Sequence, residues 1–144
     1  MPPSEFLPDA AATIAAGAAL AASGELRPGA VVALIGGLGA GKTHFTKGIV
    51  QGLGGAEEVT SPTFTLVHEY RSPGLPVFHF DFYRMDTAAE VTAIGWDEYL
   101  EAGGVCVVEW ADRFPDLLPD GTLWLALEPQ GEGRRLTRKS SIPS

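Results

Sequence analysis

The sequence predicts an α/β fold, a three-layer sandwich with central parallel strands and antiparallel additions. Three observations predict it. Short apolar, strand-like runs alternate with helix-like segments. One segment, Gly36-Gly37-Leu38-Gly39-Ala40-Gly41-Lys42-Thr43, fits the complete phosphate-loop pattern G-x-x-x-x-G-K-[ST]. That segment lies between a strand-type run, Val31–Ile35, and a helix-type run, His44–Leu53. Strand, glycine-rich loop and helix in that order are what a P-loop NTPase sandwich requires.

Each element has a local reason. Asp9 caps a first helix that runs to about Ala22, rich in alanine and leucine and ended by Gly24. Pro28-Gly29 turns the chain into the strand Val31–Ile35. Gly54-Gly55 stops the next helix and opens the loop carrying Thr60-Ser61-Pro62-Thr63. Phe64–Tyr70 reads as a strand, and Ser72-Pro73-Gly74 as a turn. Val77–Phe82 alternates, with Phe78, Phe80 and Phe82 on one face and Val77, His79 and Asp81 on the other. Its hairpin-like spacing from Phe64–Tyr70 predicts an antiparallel pair. A helical region follows from about Thr87 to Ala102, broken near Gly95. Val105–Glu109 is an apolar strand ending in an acid, Leu123–Leu127 is another strand, and Arg134–Thr137 reads as a last, edge strand.

The chain has 144 residues, enough for one domain with a real core. Its net charge of −8 is unevenly spread. Residues 1–133, read as the single domain, hold all 18 acids, while the tail 134–144 carries Arg134, Arg135, Arg138 and Lys139. An acidic body repels phosphate backbones, so RNA would be held by a partner. The basic tail fits a docking strand, a phosphate contact or a solvated end. Cys106 lies in an apolar run and reads as a buried strand thiol in a reducing compartment, with no disulfide within the chain. No apolar stretch approaches membrane-spanning length. Glu5 and Asp9 precede the alanine-rich segment and no basic region does, which argues against export and for the cytoplasm.

The motif carries its own chemistry. Glycines let backbone N–H groups curl around phosphate oxygens, and the helix N-terminus adds free donors. Lys42 reaches the β- and γ-phosphates, and the Thr43 hydroxyl can ligate Mg²⁺. The His44 backbone N–H can touch an α-phosphate. A carboxylate at a neighbouring strand end normally completes the metal site. Glu109 and Asp81 both fit, and Glu109 is favoured on the metal, directly or through water. Asp81 would then position the attacking water or anchor Thr43; otherwise it pairs with Arg84. A Glu109 that simply faces solvent is disfavoured, because an acid abutting a buried run needs a partner. Ser61 or Thr63 can sense the γ-phosphate, or only cap an ordinary loop. Trp110 is core, a cover for the site, or a partner contact. His68 and His79 read as structural.

Together these pieces resemble the TsaE (YjeE) family. The resemblance is carried by Leu38 to Thr43, Thr60 to Val67, His79-Phe80-Asp81-Phe82-Tyr83-Arg84, Gly95 to Tyr99 and Val108-Glu109-Trp110, and covers nearly the whole chain. It implies a small Mg²⁺-dependent ATPase, weak alone, that assists formation of threonylcarbamoyladenosine in tRNA. It would dock on the TsaB–TsaD pair when ATP is bound and reset it by hydrolysis, with TsaC supplying the donor; it would not itself transfer the threonylcarbamoyl group. Nucleotide contacts are expected from Leu38, Gly39, Ala40, Gly41, Lys42, Thr43, His44, Ser61, Thr63 and Trp110. Catalytic roles fall to Lys42, Asp81 and Glu109, and metal ligation to Thr43 and Glu109. The family often has Asp in place of Gly37 and usually Thr in place of His44. The competing expectation is a small-molecule kinase of the same fold. A kinase needs an acceptor pocket and an arginine-bearing lid, and only Arg71, Arg84 and Arg113 lie between loop and tail. A third is a non-hydrolysing ATP-sensing adaptor.

Overall fold

Val31–Ile35 is buried at every position, because it runs through the middle of a sheet covered on both faces. A computed structural model describes residues 3–37, 41–56, 59 and 67–139. In chain order its main elements are β1 (Ser4–Leu7), α1 (Ala10–Ala22), β2 (Val31–Ile35), α2 (Lys42–Gly52), β3 (Val67–Tyr70), β4 (Val77–Asp81), α3 (Ala88–Ala93), α4 (Trp96–Glu101), β5 (Val105–Glu109), β6 (Leu123–Gln130) and β7 (Gly133–Lys139). The seven strands among the described residues form one mixed sheet in the order β1-β7-β6-β2-β5-β4-β3. Strands β6, β2, β5 and β4 are parallel neighbours. β3, β7 and β1 are antiparallel additions.

Two apolar cores flank the sheet. On one face Leu20 of α1 and Phe45 and Ile49 of α2 pack on Val32, Leu34, Val107 and Leu125. On the other face Val91 and Trp96 pack on Phe78, Phe80, Cys106 and Val108. The alternation along β4 sorts its side chains between them, with Phe78 and Phe80 in one core and Val77 in the other. Cys106 is a buried free thiol whose pKa burial pushes up to about 12, which suits an inert core residue.

α1 begins where Asp9 accepts the Ala12 N–H at 2.8 Å. It then holds α2 at close range. A Cβ on Gly17 would land on the Phe45 carbonyl oxygen, and one on Gly48 on the Ile14 carbonyl oxygen. The position of the α2 N-terminus is therefore set by backbone contact with α1. Gly95, at φ +98, breaks the second helical region into α3 and α4 at the expected place.

Two features differ from the sequence expectation. Ser4–Leu7 is a strand, and it takes the sheet edge. Arg134–Thr137 lies within β7, paired on one side with β1 and on the other with β6, so it is an interior strand. Of β1 only Leu7 is buried, and four residues carry too little alternation to be read as a strand. Residues 134–139 of the expected tail are thus part of the sheet, and 140–144 lie outside the described residues. No helix among the described residues is long and apolar enough to cross a membrane.

Candidate functional site

The parallel register places the carboxyl ends of β2, β4 and β5 side by side. Leu34 pairs with Glu109, and Asp81 pairs with Glu109 from the opposite side. In open α/β sheets this edge is where ligands are met. The chain leaves β2 through Gly36 and Gly37, and Gly41 precedes α2 with φ +95. That left-handed conformation favours glycine. A Cβ there would also sit 3.1 Å from Arg134 Nε, so the side chain of β7's first arginine lies against this turn. No side chain caps α2, which leaves its first-turn N–H groups available to an external acceptor.

Lys42 is 4 % exposed. Its Nζ donates to the carbonyl oxygens of Gly36 and Gly37, each at 2.9 Å. The same ammonium lies 4.5 Å from the centroid of the Trp110 ring. Burial lowers its pKa, against the opposing fields of Glu109, Asp81 and Asp112.

Glu109 is 5 % exposed. Its Oε2 accepts from Thr43 Oγ1 at 3.2 Å and from His79 Nε2 at 2.5 Å. The expectation that this strand-end acid has a partner holds, with two partners on one oxygen. Asp81 is 6 % exposed and accepts the Tyr83 N–H at 3.0 Å. Burial raises its pKa, with the Tyr83 N–H acting the other way, and Arg84 contributes only a distant field. Among the described residues Asp81 forms no ion pair, so pairing with Arg84 is not its role.

Trp110 follows directly, with its N–H on the Leu34 carbonyl at 3.1 Å. At φ +58 it is the one non-glycine residue of positive φ among those described, a conformation that costs a bulky residue strain. The turn lays its ring against Tyr83, centroids 4.8 Å apart, and Tyr83 is 53 % exposed. The tryptophan is therefore neither pure core nor free surface: it roofs the Lys42 ammonium.

Of the expected site residues, Gly41, Lys42, Thr43, Asp81, Glu109 and Trp110 come together at this edge. His44 is exposed on the first turn of α2. Leu38, Gly39, Ala40, Ser61 and Thr63 lie outside the described residues. The residue that sequence reasoning missed is His79. Its signal was present, since His79 shares a strand face with Asp81. His68 instead meets the Tyr70 hydroxyl at 3.1 Å. Among the described residues no three His, Cys, Asp or Glu side chains gather as a metal-holding group. A hydroxyl and a carboxylate are hard oxygen donors that suit Mg²⁺, provided that a ligand such as a phosphate completes the shell.

A family model described as threonylcarbamoyl adenosine biosynthesis protein TsaE matches residues 7–138. The chain belongs to the TsaE family. The match embraces every site residue above and extends through β7 to Arg138. A curated TsaE protein of Bacillus subtilis, described as a tRNA threonylcarbamoyladenosine biosynthesis protein, is 46 % identical over 76 % of this chain and 68 % of its own length. The TsaE of Treponema pallidum is 44 % identical over 76 % of this chain and 81 % of its own length. The crystal structure of Bacillus subtilis YdiB superposes with a TM-score of 0.74 at 35 % identity, covering 97 % of this chain and 85 % of that one.

Proposed function

We propose that this TsaE-family chain is a Mg²⁺-dependent ATPase of tRNA threonylcarbamoyladenosine biosynthesis, working in the cytoplasm. ATP binding docks it on the TsaB–TsaD pair, and slow hydrolysis resets that assembly between turnovers. The observation that carries this reading is the convergence of Lys42, Thr43 and Glu109 at the end of a glycine-rich segment.

The glycine-rich segment and the first turn of α2 offer N–H donors to the phosphates as a P-loop does. Lys42 exchanges its two carbonyl contacts for β- and γ-phosphate oxygens and neutralises their charge. Thr43 Oγ1 and Glu109 would hold Mg²⁺, Glu109 directly or through water. An ion held there would supply positive charge against the negative charge that develops on the phosphates. Asp81, buried at the same rim, orients the attacking water. Ser61 or Thr63 senses the γ-phosphate, and Trp110 shields the Lys42 ammonium from water, which strengthens its field. The acidic composition leaves tRNA to the partner proteins.

The test is capture on immobilised TsaB–TsaD with and without ATP, beside an ATPase assay. Capture that needs ATP, with slow hydrolysis alone and faster hydrolysis in the complex, supports the proposal. ATP-independent capture sinks the docking cycle, and efficient phosphate transfer to a metabolite identifies a kinase instead. Absence of hydrolysis even in the complex identifies an ATP-sensing adaptor.

A further inference from the structure

His79 is fully buried on β4, two residues before Asp81 and on the same strand face. Its Nε2 meets Glu109 Oε2 at 2.5 Å. Its Nδ1 is buried and has no hydrogen-bond partner among the described residues. The ring of Tyr70 lies 6.1 Å away between centroids. An unpaired buried nitrogen is unfavourable, and an apolar residue of similar size would fill the space without it. Packing therefore gives no reason for a histidine here. Its polar contact with Glu109 does.

That contact fixes one oxygen of Glu109. Oε2 is held from two sides, by Thr43 and by His79, while Oε1 makes no hydrogen bond among the described residues. A carboxylate anchored through one oxygen presents the other in a fixed direction. We infer that His79 is a positioning residue: its Nε2–H clamps Glu109 so that the remaining carboxylate oxygen faces the Mg²⁺ of a bound nucleotide. The inference rests on the nucleotide reading above and adds a residue to it. Partners behind a metal ligand typically change metal affinity by about 10- to 100-fold when removed. Without the clamp the Glu109 side chain is free to rotate away from Thr43. Among the described residues neither Lys42 nor the first turn of α2 forms a hydrogen bond or ion pair with His79, so nucleotide binding without metal should be indifferent to it.

The experiment titrates ADP into the full chain in EDTA, then Mg²⁺ into the protein–ADP complex. His79→Leu fills the volume without a donor, and His79→Gln keeps an amide N–H able to reach Oε2. Melting curves establish that each variant is folded. His79→Leu should leave ADP affinity in EDTA unchanged and raise the Mg²⁺ midpoint about 10- to 100-fold, while His79→Gln stays within about threefold of wild type. A wild-type Mg²⁺ midpoint in His79→Leu, or an equal loss in both variants, overturns the positioning role and leaves the nucleotide reading standing. Wild-type protein that binds no ADP overturns both. Should His79→Leu not fold, the comparison of His79→Gln with wild type decides: a tenfold loss in a folded His79→Gln contradicts the clamp, and retention supports it.

Discussion

Thr43 and Glu109 stand 66 positions apart in the chain, yet the Thr43 hydroxyl donates to Glu109 Oε2 at 3.2 Å. One lies in the first turn of α2 and the other closes β5. Their meeting depends on the β2–β5 register and on the α1–α2 packing that seats the helix start. Substituting Glu109 with Gln should therefore weaken Mg²⁺-dependent hydrolysis more than ADP binding, by about 10- to 100-fold in excess. Hydrolysis rates beside calorimetric affinities check it. Equal losses would make Glu109 a structural residue.

Lys42→Ala removes the ammonium that, on the proposed reading, would face the β- and γ-phosphates. Hydrogen bonds to charged groups contribute about 1.5–3 kcal/mol each, so ATP affinity should fall about 10- to 100-fold. The fold should not suffer, because burial already disfavours this charge. Unchanged ATP affinity in calorimetry would refute the assignment.

Asp81→Asn should lower turnover and stabilise the fold at neutral pH. Burial holds the Asp81 pKa above its ordinary 3.8, so the folded chain binds that proton more tightly than the unfolded chain does. The corresponding stability is complete below the ordinary value and is lost as pH rises through the folded-state value. Asparagine does not titrate, and its oxygen can still accept the Tyr83 N–H. The Tm of Asp81→Asn should exceed wild type at pH 7 and converge with it below about pH 4. A gap that stays constant with pH would show that Asp81 is not held in a costly ionised state.

Gly41→Ala places a Cβ in a left-handed turn, at φ +95, and 3.1 Å from Arg134 Nε. The conformation alone costs about 1–2 kcal/mol. The variant should melt earlier and bind nucleotide more weakly, since the strain falls on the helix start proposed to receive phosphate. Gly24→Ala, also at positive φ (+85) but with nothing within 4 Å, is the control for strain without a site.

What the sequence conveys and what it withholds follow from where each signal resides. α1 was readable because its cap and composition are local: Asp9, alanines, then Gly24. β2, β4 and β5 were readable because buried apolar runs survive in any context. Glu109 was readable because a charge beside such a run requires a partner. β1 was not, since Ser4–Leu7 is held by pairing with β7, at the far end of the chain, which leaves little trace in four letters. Arg134–Thr137 looked like an edge for the same reason, because polar residues hide a strand paired on both sides. His79 escaped because a histidine's role depends on what stands across the sheet, and only the β4–β5 register brings Glu109 to it.

On the proposed reading the glycine-rich segment and the first turn of α2 grip the phosphates of a nucleotide. Amide ¹H–¹⁵N spectra recorded while Mg²⁺ and ADP are added decide it. The largest shifts should fall on Gly36, Gly37, Gly41, Lys42, Thr43 and His44, with smaller ones at Glu109 and Trp110. Spectra that stay still, or that move chiefly at residues remote from this edge, would contradict it.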